Sequence, residues 1–239
     1  MFFIFKKWTI VYIFSMFVLI IGFAMILRHG ESVQTSSDAV LYAEMPVLIL
    51  DPGHGGEDGG AVAEDGTVES LINLSISIKV AELAELLGCE VQMTRETDIS
   101  IYDPDAKTLR EKKVSDLKNR VALCEQVKNG VLISIHQNSL PSAPSVKGAQ
   151  VFFNEQQGSS ELAQAVQSIL NETINPGKPK EVKAMGSSSY LMKNVTCPGI
   201  LIECGFLSNA AETQALKTDS YQLEIAVSIL SAVLKYFQN

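Results

Sequence analysis

The sequence predicts an α/β fold, a mostly parallel central sheet flanked by helices, preceded by an N-terminal transmembrane or signal segment. Three observations carry this expectation. Short runs at residues 47–50, 131–135 and 200–202, apolar throughout except for Ser134, suit strands buried on both faces of a parallel sheet. Between them lie longer stretches with apolar residues at helical spacing, so strands and helices alternate. Residues 8–27 form 20 consecutive uncharged positions, with only Thr9, Ser15 and Gly22 interrupting their apolar character.

That first run is long enough, at about 1.5 Å per residue, to span roughly 30 Å of bilayer core. Lys6 and Lys7 precede it, which places the N-terminus in the cytoplasm and the rest of the chain outside. An uncleaved anchor is the preferred reading over a cleaved signal peptide, whose apolar region is usually about 7–15 residues. Both readings export the remainder of the chain. The chain therefore divides into an anchor or signal segment at 1–29, a polar linker at 30–45 and a domain at 46–239.

Within the domain, 47–50 reads as a strand running into Asp51-Pro-Gly. Residues 69–87 read as a helix ended by Gly88. A strand is expected at 89–94 and an exposed polar loop at 96–113. A helix opened by Ser115 and Asp116 is expected over 115–128. Further strands fall at 131–135, 149–153 and 200–202, with helices at 161–174 and 221–237.

Composition narrows the function. With 46% hydrophobic and 19% charged residues, the chain is not disordered. Its net charge of −8 lacks the basic footprint of a general nucleic-acid binder. Cys89, Cys124, Cys197 and Cys204 show no C-x-x-C spacing and lie in apolar runs, so buried thiols are expected, with one disulfide as the alternative.

The chemistry concentrates at strand ends, where open parallel sheets place their sites. The first strand leads into Asp51-Pro-Gly-His-Gly-Gly56, the strand at 131–135 into His136-Gln-Asn138, and the strand at 200–202 into Glu203-Cys-Gly. Glu69 opens the helix after His54. Each residue alone has an ordinary reading: His54 in a turn, His136 in the core, Glu69 at a favourable helix start. Glu203 resists one, because a carboxylate inside an apolar run is costly to bury without a partner. Of three histidines, His29 sits at the membrane edge and both others fall at strand ends. Two imidazoles and a carboxylate make the three-ligand set of a catalytic zinc, with one position open.

These motifs, together with Thr94-Arg-Glu-Thr-Asp98, Leu117-Lys-Asn-Arg120, Tyr190-Leu-Met-Lys193 and Gly205-Phe-Leu-Ser-Asn209, resemble the zinc-dependent N-acetylmuramoyl-L-alanine amidases over about 46–238. The resemblance implies zinc held by His54, Glu69 and His136, and Glu203 as the catalytic glutamate. It implies hydrolysis of the amide joining muramic acid to L-alanine in peptidoglycan, and is strongest to the sporulation and germination amidases that act on spore cortex. The expected partners are peptidoglycan strands with their stem peptides and the membrane through residues 8–27; an activating protein is left open. Gln137 and Cys204 depart from the family pattern, and neither falls on a ligand position. The alternatives are an inactive tethered wall-binding scaffold and another peptidoglycan metallohydrolase, a deacetylase or peptidase.

Overall fold

The computed structural model describes residues 45–238. The expected segment at 8–27 lies outside the described residues. Among the described residues, no helix is long and apolar enough to cross a membrane.

Six strands form one sheet in the order β2-β1-β3-β6-β4-β5. They are β1 (Val47–Pro52), β2 (Val91–Met93), β3 (Gly130–Asn138), β4 (Gln150–Phe153), β5 (Lys183–Ala184) and β6 (Gly199–Phe206). The strands β2, β1, β3 and β6 run parallel, whereas β4 pairs antiparallel with β6. The helices α1 (Glu69–Leu86), α3 (Ser159–Thr173) and α6 (Asp219–Gln238) form one contiguous layer, with α6 packed on both others. The helices α2 (Leu109–Gln126) and α4 (Tyr190–Asn194) pack together over a core of Ile49, Leu132, Leu201, Cys124, Leu191 and Met192. A short α5 (Ala210–Leu216) follows β6.

Side chains alternate across a strand, so Ile49, Leu132 and Leu201 share their sheet face with Asp51, Ser134, His136 and Glu203. One face thus turns from apolar to polar on approaching the carboxyl ends of three adjacent strands. The register pairs Asp51 with Ser134 and His136 with Glu203. Both β3 and β6 extend beyond their apolar runs, so His136 and Glu203 are strand residues rather than loop residues.

Two expectations require correction. Helix α2 starts six residues before Ser115, inside the stretch expected to be loop. Its cap is Thr108, whose hydroxyl accepts from the Glu111 N–H while the Glu111 carboxylate accepts from the Thr108 N–H. The first turns face solvent and are mostly polar, and their apolar residues Leu109 and Val114 are exposed too, so apolar periodicity alone places the start too late. Ser115 and Asp116 lie mid-helix, and Asp116 is used instead to hold Arg120. The short elements β5, α4 and α5 also went unforeseen; too few residues carry their pattern. The four cysteines are free thiols.

A buried ion pair joins these layers. Asp51 accepts from Thr94 Oγ1 at 2.7 Å, Arg120 Nη1 at 2.7 Å and Ser134 Oγ at 2.6 Å. Burial raises its pKa, but the Arg120 charge and these hydrogen bonds outweigh that and hold it down at about 2. This stabilisation is present above the ordinary value of 3.8 and is lost as pH falls toward 2. Arg120 also reaches Asp116 Oδ2 and the carbonyls of Pro52 and His54. Arg95 donates to the carbonyls of Pro52, Gly53 and Ser70. Replacing Arg120 by Met would leave a carboxylate buried without its charge partner, a cost of about 3–5 kcal/mol. Denaturation should show the midpoint falling by roughly 6–20 °C; a loss under about 1 kcal/mol would contradict the role assigned to the pair.

Candidate active site

After Pro52 the chain makes a tight loop in which His54 itself adopts φ 62°, a left-handed conformation unusual for a non-glycine residue. Arg120 and Arg95 hold that loop by its carbonyls, so this geometry does not depend on His54 alone. Gly53 is required by contact, because a Cβ there would run into the His136 ring. At Gly60, with φ 71°, a Cβ would strike Glu69 Oε2 and the His54 ring.

The structure brings His54, Glu69 and His136 together, each offering one ligand atom within 4.8 Å of the others. Glu69 Oε1 lies 3.0 Å from His136 Nδ1 and 3.4 Å from His54 Nε2. The two rings meet edge to face, with centroids 5.0 Å apart. The Glu69 carboxylate is firmly placed. Its Oε2 accepts from the Ala61 N–H at 2.8 Å, and its Oε1 accepts from Asn73 Nδ2 and the Gln137 N–H. The remaining His54 nitrogen, Nδ1, faces Asp58 Oδ2 at 3.0 Å, the usual carboxylate support of a metal-binding imidazole.

Electrostatics bind the cluster. Burial pulls the His54 pKa down, but hydrogen bonds and charge from Asp58 and Glu69 prevail and push it up to about 9. Burial raises Glu69, yet both imidazoles hold it far below the carboxylate range. Glu203 goes the other way. Burial, reinforced by the Glu69 charge, pushes it up to about 7 against the pull of His136, His54 and Lys180.

Glu203 stands directly beside His136 across the β3–β6 pairing, and its Oε2 is buried without a hydrogen-bond partner. A buried oxygen with no donor, next to a His-Glu-His triangle, is what a site built around a cation and a water leaves on the protein. The donor set fits a divalent metal with an open position. All four residues predicted from the sequence therefore meet at one place. A cavity of about 300 Å³ opens onto His54, His136 and Glu203, walled by α2 on one side and by Ser188, Ser189 and Tyr190 on the other. A larger, more apolar cavity of about 560 Å³, lined by Val62, Pro141, Pro144 and Leu207, contains none of the four.

Sequence reasoning missed the supporting residues. Asp58 follows His54 by four positions in the same glycine loop, and a carboxylate so close to a candidate ligand was the available signal. Asn73 lies one helical turn after Glu69. Gln137 was set apart from the ligands, yet its N–H bonds Glu69 and its side-chain amide donates to Asn73 Oδ1.

An α/β sheet carrying at its strand ends a His-Glu-His cluster able to hold a metal, with a separate carboxylate oxygen buried beside it, has the form of a hydrolase site. The chain belongs to the Amidase_3 family of N-acetylmuramoyl-L-alanine amidases, whose model matches residues 48–235, and it is such an enzyme. It is 38% identical over 192 residues to the germination-specific N-acetylmuramoyl-L-alanine amidase of Bacillus subtilis, covering 80% of this chain and 79% of that one. The CwlD amidase of Clostridioides difficile, solved in complex with the GerS lipoprotein, matches with a TM-score of 0.76 and 39% identity. That match covers 80% of this chain and 98% of the solved one. The amidase AmiC2 of Nostoc punctiforme matches with a TM-score of 0.70 and 27% identity, covering 82% and 98%.

The Asp58 contact gives a direct prediction. In the cation-free protein His54 should titrate near 9, so the stability it contributes is full below 6.5 and lost as pH rises through 9. Asp58→Asn should return the His54 titration toward 6.5 and weaken the binding of an added divalent metal roughly 10–100-fold. Imidazole NMR and calorimetric titration read the two effects; an unshifted His54 titration would remove Asp58 from the site.

Proposed function

We propose that this chain hydrolyses the amide between N-acetylmuramic acid and L-alanine with zinc held by His54, Glu69 and His136, and with Glu203 as the proton carrier. The observation that carries this is the partnerless Glu203 Oε2 beside the His-Glu-His cluster. When bound, zinc supplies Lewis acidity: it brings the pKa of water toward about 7, polarises the amide carbonyl and favours ionised Glu203.

The chain's own groups do the rest. Glu203 Oε2, free of other donors, accepts a proton from the attacking water. The same oxygen then gives that proton to the departing alanine amine, which the short distances of one pocket allow without rearrangement. A carboxylate raised by burial is suited to both halves of the transfer near neutral pH. Asp58 fixes the orientation of His54 throughout, and Asn73 with the Gln137 N–H fixes Glu69.

Similarity to the B. subtilis germination-specific amidase and to the C. difficile CwlD amidase supports action on spore cortex peptidoglycan. The solved C. difficile complex supports a lipoprotein partner for this chain as well. The uncharged run at 8–27 supports retention on the outer side of the cytoplasmic membrane.

The test uses cortex and vegetative peptidoglycan digested with and without chelator, with fragments read by mass spectrometry. Free alanine amines are expected, and their release should stop on chelation. Acetate release or cleavage within the stem would overturn the reading. Glu203→Gln should keep its zinc and fold yet lose roughly 10²–10⁴-fold in rate, whereas His136→Ala should lose zinc and activity together. Near-normal turnover by zinc-loaded Glu203→Gln would rule out the proton transfer assigned to Glu203.

A further inference from the structure

The 300 Å³ cavity over the site is rich in acids: Asp51, Asp58, Asp116 and Glu203 all line it. Among the described residues lining it, the two with permanent positive charge are Arg120 and Lys113. Arg120 has a side chain only 2% exposed, and its guanidinium is engaged by Asp51, Asp116 and two backbone carbonyls. It has nothing left for a ligand. Lys113, on α2, is 53% exposed, and its ammonium has one contact, to Asp58 Oδ2 at 3.1 Å. An ammonium carries three donors, so a carboxylate arriving in the cavity can pair with Lys113 without displacing Asp58.

A stem peptide continues beyond L-alanine with a glutamate joined through its side-chain carboxyl, which leaves an α-carboxylate about two residues from the scissile amide. Two residues of extended chain reach roughly 7 Å. The Lys113 ammonium is separated from the metal-facing Nε2 of His54 by one imidazole ring, the 3.0 Å contact to Asp58 and the 3.1 Å contact onward. A carboxylate entering a pocket with this many acids is favoured by a cation at that place.

Resting on the amidase reading, we propose that Lys113 is a specificity-determining residue that binds the free α-carboxylate of the second stem-peptide residue. The enzyme then prefers stems in which this carboxylate is free over stems in which it is amidated. Lys112, the next residue, is not equivalent: its ammonium is held by Glu57 at 2.7 Å and lies over the Tyr102 ring.

The experiment compares two muramoyl peptides that differ only in amidation of that carboxylate, using the zinc-loaded full chain. The readouts are the ratio of kcat/KM values and, separately, the equilibrium affinities. The wild type should favour the free acid roughly two- to fivefold, the size of a partly exposed charge pair. Lys113→Met should bring the ratio to near one, Lys113→Glu should invert it, and Lys112→Met should retain the wild-type preference. If Lys113 acts only by supporting Asp58 and His54, its variants would lose rate on both substrates with the ratio intact, and the proposal fails. Equal wild-type affinity for the two peptides overturns it as well, whichever bond is cut. Selective binding of the free acid without release of alanine amines would instead refute the amidase reading and leave the Lys113 contact standing.

Discussion

The site depends on the buried ion pair between Asp51 and Arg120. Asp51, next to last in the first strand, gathers donors from the segment after β2, from β3 and from α2. Arg120 answers its charge and then reaches past it to the carbonyls of Pro52 and His54. Two buried charges are expensive to desolvate, and a pair of this kind is tolerated only where geometry and further hydrogen bonds are complete. Here they are complete, and the saturated guanidinium fixes a loop whose left-handed histidine would otherwise be strained. A buried and fully hydrogen-bonded ion pair thus sits directly beside the histidine loop.

Above that base the site separates two carboxylates by environment. Glu69 is surrounded by donors and two imidazoles and stays ionised. Glu203, one strand over, meets no donor at Oε2, and its proton affinity rises. The same residue type is thereby held ionised in one position and made proton-avid in the other, which suits the two roles proposed for them. Sheet register accounts for the closeness: pairing of β3 with β6 sets His136 opposite Glu203, and period-two alternation turns both to the face covered by α2 and α4.

Much of this was legible in the residues. Apolar runs ending in His or Glu gave the central strands and placed His54, His136 and Glu203 at one end of them. Asp51-Pro-Gly-His and the helix after it placed Glu69 nearby. The supporting groups were harder to read: Asp58 is marked only by its nearness to His54, and nothing local marks Asn73 or Arg120 as partners of residues 4 and 69 positions away. The start of α2 was misplaced because its exposed first turns carry no apolar signal, although Thr108 and Glu111 held the capping pattern. The reversal of β4 follows from pairings between distant segments, which no window of sequence contains.

The central claim is that Glu203 stands beside the metal without binding it. A structure of the zinc-loaded protein, with the metal located by its anomalous scattering, tests this most directly. The account predicts a ligand set of His54, Glu69 and His136, with Glu203 outside it and facing the open position. Zinc coordinated by Glu203 as a fourth protein ligand, or bound away from the His-Glu-His cluster, would contradict it.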